Sequence, residues 1–270
     1  METERRLMCV LAHPDDESLG SGGALARSAA DGVATYVVTA TRGERGRFGD
    51  ADRSPGPEIV GAAREAELRA AAAELGVRDV SVLGYPDGAL QDVDRAEAVA
   101  RIAGHLRRVK PHVVITFGPD GAYGHPDHIA ISQLTAAAIV CAADPAFTTQ
   151  PATPAAHRVS KLYFIAWSAA KWSAYQAALR KLVYRLGDEE RQAVPWPDWA
   201  ITTVLDTRPV WPVVWRAVSC HRTQISIYSR LADLPEAHQH ALWGTQEFYR
   251  VFGGTATGQR TESDLFEGLP

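Results

Sequence analysis

Two short segments hold the residues best suited to chemistry. In His13-Pro-Asp-Asp-Glu17 a histidine stands three positions before Asp16, and in His125-Pro-Asp-His128 two histidines repeat that spacing. In the first turn of a helix, an i, i+3 pair can aim two ligand atoms at one point. One imidazole and one carboxylate from the first segment, with one imidazole from the second, make a set of two histidines and a carboxylate. With an open position, that set is the pattern of a catalytic zinc. Asp15 lies beside it, placed to take a proton from water activated there. Helix capping would account for Asp15, Asp16 and Glu17, but not for two matched His-Pro-Asp segments.

Residues so far apart need a frame that brings their loops together. Leu7–Ala12, Val33–Ala40, Val77–Leu83 and His112–Phe117 are short, largely apolar or β-branched runs, as expected of strands in a buried parallel sheet. Helical patterns run between and after them, at about 20–31, 58–75, 94–109 and 127–142, with Gly76 placed as a helix stop. The repeated unit predicts an α/β fold, a Rossmann-like and mostly parallel sheet with helices on both faces. Ligands bind such sheets beyond the carboxyl ends of the strands. The unusual polar residues fall there: His13, Asp15 and Asp16 after the first strand, Arg42 and Glu44 after the second, Asp87 after the third, and Tyr123 to His128 after the fourth.

Beyond Asp144 the pattern loosens. A strand is expected at Lys161–Ala166, a Trp- and Tyr-rich helix over 167–186, a strand at Ile201–Leu205 and a helix over Val210–His221. The organisation reads as a single domain over 1–270, with a core at about 5–145, a C-terminal elaboration at about 157–252 and a mobile tail at 253–270. At 46% hydrophobic residues over 270 positions, the chain has material for a sizeable core. A net charge of −4 offers no basic field for nucleic acid. Three scattered cysteines make neither a disulfide framework nor a Cys-type zinc finger. The early apolar run is too short for a signal sequence or a membrane span, so the expectation is a soluble, cytoplasmic protein that binds neither nucleic acid nor membrane.

The paired segments Ala12-His-Pro-Asp-Asp-Glu17 and His125-Pro-Asp-His128 resemble those of the PIG-L/LmbE-like zinc-dependent N-acetylglucosaminyl deacetylases, the family of the mycothiol- and bacillithiol-type enzymes. The resemblance covers residues 5–145 well and the C-terminal part loosely. It implies His13, Asp16 and His128 as zinc ligands, Asp15 as general base, His125 as a protonated oxyanion stabiliser and Tyr123 as its assistant. It also implies sugar or neighbour contacts for Glu44, Arg64 and Asp87, although Arg64 could instead pair with Glu67 along its own helix. His221, in Cys220-His-Arg-Thr-Gln224, resembles a downstream segment of the family and reads as a supporting residue. Sites of two histidines and a carboxylate also accept iron, cobalt or manganese, so Fe2+ is an alternative to Zn2+.

Gly20-Ser-Gly-Gly23 lacks the full dinucleotide-binding spacing, position 25 being Leu, and close packing explains its glycines. The Arg-rich loop over 43–57 reads as a solvated loop or a lid, and the Trp and Tyr clusters as core with an aglycone-lining residue or two. The function implied is metal-dependent removal of an N-acetyl group from a small N-acetylglucosaminyl molecule. Two alternatives keep the same centre: an amidase acting on a larger N-acyl or thiol-conjugate substrate, and a non-catalytic sugar-binding protein. The motifs leave the aglycone and any homo-oligomer open.

Overall fold

Leu7 to Leu11 have no exposed surface, because the strand they form lies between neighbours on both edges with helices over it. In the computed structural model, which describes residues 4–51, 53–152, 155–179, 183–254 and 261–270, this is β1 (Arg6–Leu11). There follow α1 (Asp16–Ala30), β2 (Ala34–Thr41), α2 (Pro57–Glu74), β3 (Asp79–Tyr85), α3 (Arg95–Val109), β4 (Val113–Phe117), the single turn α4 (Gly121–Gly124), α5 (Pro126–Ala143) and β5 (Lys161–Ile165). The second half contributes α6 (Ala169–Leu179), β6 (Val183–Leu186), β7 (Glu189–Gln192), β8 (Thr203–Asp206), α7 (Trp211–Cys220), α8 (Ile225–Ala232), α9 (Glu236–Trp243) and β9 (Thr245–Phe252).

The main sheet has the order β3-β2-β1-β4-β5-β9-β8. Its first five strands are parallel, and β9 runs antiparallel to both β5 and β8. The fold is therefore the mostly parallel α/β sheet expected. Helices α1, α2 and α7 pack together, as do α3 and α5, consistent with right-handed crossovers that reverse direction after β3. The reversal puts a switch point between β1 and β4, and the crevice beyond their carboxyl ends receives the loops bearing His13 and His125.

Helix α1 starts at Asp16 rather than at the glycines, which lie inside it because neighbouring elements come too close for side chains. A Cβ on Gly23 would meet Thr207 Cγ2 at 2.5 Å, and one on Gly22 would meet Val214 Cγ1 at 3.0 Å. The second half departs from expectation in two places. Of the helix expected over 167–186, Ala169–Leu179 is helical and 180–182 lie outside the described residues, while Val183–Leu186 instead pairs with Glu189–Gln192 as a hairpin. The tail expected to be mobile at 253–270 is packed over 261–270, while 255–260 lie outside the described residues. Glu262 in that tail is buried, bonding Lys161 Nζ at 2.8 Å, Tyr163 OH at 2.7 Å and Thr203 Oγ1 at 2.9 Å. Among the described residues no helix is long and apolar enough to cross a membrane.

Candidate metal centre and active site

β1 ends at Leu11, and the chain turns sharply into α1 through Asp15, whose φ of 103° and ψ of −26° are left-handed. This is a strained conformation for a residue with a side chain. Two acceptors stabilise the turn. Asp16 Oδ2 accepts the backbone N–H groups of Ala12 at 3.2 Å and His13 at 2.8 Å. Glu17 Oε2 accepts the N–H of Asp15 at 2.9 Å. The loop after β4 is strained as well. Ala122 at φ 64°, ψ −60° adopts a rare γ-turn conformation between Gly121 and Gly124, both at positive φ. His125 then caps α5, its Nδ1 accepting the Asp127 amide at 3.2 Å, which leaves the ring proton on Nε2.

These two turns bring His13, Asp16 and His128 together, all buried. His13 Nδ1 is 3.2 Å from His128 Nε2 and 3.7 Å from Asp16 Oδ2, and His128 Nε2 is 3.5 Å from Asp16 Oδ1. Tetrahedral ligands about 2.0–2.1 Å from a zinc stand roughly 3.3 Å apart, so the spacing fits. The donor chemistry fits too. His13 Nε2 faces Asp127 Oδ2 at 3.1 Å and Asp87 Oδ1 at 3.2 Å, and His128 Nδ1 faces the Gly121 carbonyl at 3.3 Å. Those partners take the ring N–H groups, which frees His13 Nδ1 and His128 Nε2 to coordinate. His13, His125 and Asp127 form a second cluster of ligand type. There, however, the Asp127 oxygens already accept from Gly88 N–H at 2.7 Å and Leu90 N–H at 3.0 Å, and His125 Nδ1 is occupied by an amide.

Charge is distributed unevenly. Burial opposes a charged His13, but hydrogen bonds to Asp127 and Asp87 outweigh it and lift the pKa to about 10. Burial lifts Asp16 to about 7 despite the attraction of His13. Burial and the His13 charge press His125 down to about 4 in the metal-free cluster. Tyr123 meets the rings of His125 and His128 edge-on, at centroid distances of 5.8 and 5.4 Å. Phe117 stacks on His128 at 3.8 Å.

Asp15 is held through one oxygen: Oδ2 accepts from Arg64 Nη2 at 2.9 Å and from Tyr228 OH at 2.6 Å. Arg64 lines the cavity, yet its guanidinium also binds the carbonyls of Pro14 and Gly43. Its alternative partner Glu67 accepts from Thr223 instead, at 2.8 and 2.7 Å. Asp87 faces His13 and takes the Arg45 N–H on Oδ2 at 2.9 Å. Glu44 stands behind Asp87, accepting its backbone N–H at 2.8 Å. Asp15, Arg64 and Asp87, with the residues of the candidate metal centre, line a cavity of about 470 Å³ that Trp167, Tyr175 and Tyr184 also line, whereas Glu44 does not reach it.

Residues 8–139 match the model of the PIG-L family, GlcNAc-PI de-N-acetylase. The chain is 36% identical over 299 residues to a 1D-myo-inositol 2-acetamido-2-deoxy-alpha-D-glucopyranoside deacetylase of Rhodococcus opacus, covering 99% of each chain. It is 33% identical over 302 residues to the protein of the same name from Rhodococcus jostii, again over 99% of each. The chain belongs to the PIG-L deacetylase family. A crystal structure of the conserved protein TT1542 from Thermus thermophilus superposes with a TM-score of 0.65 at 27% identity, over 93% of this chain and 96% of that one.

Some residues of this PIG-L site had no role in the reading of the sequence. Asp127 lay within a quoted motif, but its task is set by backbone N–H groups of Gly88 and Leu90, about 40 positions away. Glu17 likewise had only a capping role. It is fully buried and binds His221 Nε2 at 2.7 Å, which gives His221 its supporting function. Tyr228 and Tyr184 carried no local signal at all.

Proposed function

We propose that this chain hydrolyses the acetamido group of an N-acetylglucosaminyl glycoside with a small polyol aglycone such as inositol, using zinc, with residues 1–270 acting as one catalytic unit. The observation that carries this reading is the convergence of His13 Nδ1, Asp16 and His128 Nε2 beside Asp15. These three residues would hold the ion. When bound, a dication polarises the amide carbonyl and makes water a nucleophile near neutral pH. Asp15 takes the proton from the attacking water and passes it to the leaving amine. Both donors to its carboxylate bind Oδ2, so Oδ1 is the oxygen free for that transfer. His125, with its proton on Nε2, donates to the carbonyl oxygen as negative charge grows, and Tyr123 braces its ring. Asp87 and the aromatic wall of Trp167, Tyr175 and Tyr184 meet the sugar and its aglycone. The cavity volume of about 470 Å³ lies in the range of small-molecule sites. Three unpaired cysteines, Cys9, Cys141 and Cys220, accord with a reducing, cytoplasmic setting.

The test is amine release from N-acetylglucosaminyl-inositol and from N-acetylglucosaminides of other aglycones, with stripped protein before and after zinc is restored. Zinc-dependent release, falling by roughly 10²–10⁴-fold in Asp15→Asn with metal retained, supports the reading. Release only from larger N-acyl substrates, or none at all with one metal bound per chain, overturns it.

A further inference from the structure

The C-terminal elaboration reaches the base of the reaction twice. From α8, Tyr228 is buried and its hydroxyl donates to Asp15 Oδ2 at 2.6 Å. From the end of α7, His221 holds Glu17, which holds the Asp15 backbone N–H in its left-handed turn. We propose that Tyr228 is a positioning residue for the hydrolysis, fixing the rotamer of the Asp15 carboxylate so that Oδ1 addresses the reacting water. The inference rests on the reading of Asp15 as the proton acceptor.

Three features support a role beyond packing. Tyr228 lines the reaction cavity itself, so its hydroxyl sits where it can act on the site. That hydroxyl meets the same oxygen that Arg64 takes at 2.9 Å, and two donors approaching one carboxylate oxygen fix its plane better than one. The donors also come from independent elements, α2 and α8. Losing the hydroxyl leaves Arg64 as the single tether and lets the carboxylate rotate. A displacement of this kind of a group that must meet water at a set distance lowers the chemical step with little effect on binding.

The experiment compares wild type, Tyr228→Phe and Asp15→Asn as full-length, zinc-loaded chains. For Tyr228→Phe the expected result is a fall in kcat of roughly ten-fold, with KM within about two-fold, unchanged metal content and a melting temperature lowered only by what the lost hydrogen bond accounts for, still well above the assay temperature. A crystal structure of the variant, which needs no substrate, should show the Asp15 carboxylate rotated or split between conformers. Unchanged kcat, or an Asp15 side chain that stays in place, overturns the proposal. So does a loss of activity that only tracks a lower melting temperature. Full activity in Asp15→Asn overturns the underlying assignment of the base instead, which separates the two failures.

Discussion

Asp127 Oδ2 lies 3.1 Å from His13 Nε2, and the same oxygen accepts the Gly88 N–H at 2.7 Å. One carboxylate thus ties the loops after β1, β3 and β4 together and selects which nitrogen of His13 is free to coordinate.

Replacing that carboxylate should therefore affect the metal more than the fold. In Asp127→Asn the amide group cannot accept from His13 and from both backbone N–H groups as two oxygens do. Metal affinity is expected to fall roughly 10–100-fold, with about 1–3 kcal/mol of stability lost to the unsatisfied donor. Competition against a chromophoric chelator measures the first and chemical denaturation the second. Unchanged affinity would remove Asp127 from the centre.

Metal uptake should release a proton. In the stripped protein His13 titrates at about 10 and Asp16 at about 7, and both must be unprotonated to coordinate. Between pH 7 and 10 the His13 proton is expelled, so affinity should rise about tenfold per pH unit. Below pH 7 the Asp16 proton adds to the slope. The stability of the stripped protein follows in sign. Both folded pKa values lie above the unfolded ones, so their contribution is full at low pH, Asp16's fading as pH rises through about 7 and His13's through about 10. Calorimetry in buffers of different ionisation enthalpy counts the protons. Zero released at pH 8 would refute the assigned charge state of His13.

The glycines of α1 should tolerate no side chain. Gly23→Ala places a Cβ 2.5 Å from Thr207 Cγ2 and 3.1 Å from Gln246 Oε1, and is expected to destabilise the protein by about 1–3 kcal/mol. Metal content should not change, because the clash is with Thr207, just past β8, and with Gln246 of β9 rather than with the centre. A neutral or stabilising effect on the thermal midpoint would refute close packing as the reason for these glycines.

Much of this molecule is legible in its residues because a parallel sheet buried on both faces writes long apolar runs, and because catalytic groups gather at strand ends. Leu7–Ala12 and His112–Phe117 declare their strands, and the loops after them carry the residues that cluster as a candidate metal site. The second half obeys that rule only in part: the strands expected at Lys161–Ala166 and Ile201–Leu205 and the helix at Val210–His221 appear as β5, β8 and α7, but the rest does not follow it. β9, Thr-Gln-Glu-Phe-Tyr-Arg-Val-Phe, mixes polar and apolar residues because it lies outside the parallel core. The hairpin at 183–192 turns at Gly187 and Asp188, a two-residue signal easily lost beside the Trp- and Tyr-rich stretch before it. Asp127 and Tyr228 act through partners 114 and 213 positions away, a relationship that no local spacing encodes.

The left-handed backbone at Asp15 has a bearing on how this enzyme can be improved. Glycine is the residue that fits φ 103° without strain, and it is also the one that removes the carboxylate. Strain of about 1–3 kcal/mol therefore comes with a carboxylate at this position. Asp15→Gly would relieve that strain but leave the buried Arg64 guanidinium and Tyr228 hydroxyl without their acceptor, a cost at least as large, so a library screened for heat resistance should keep Asp15 despite its backbone.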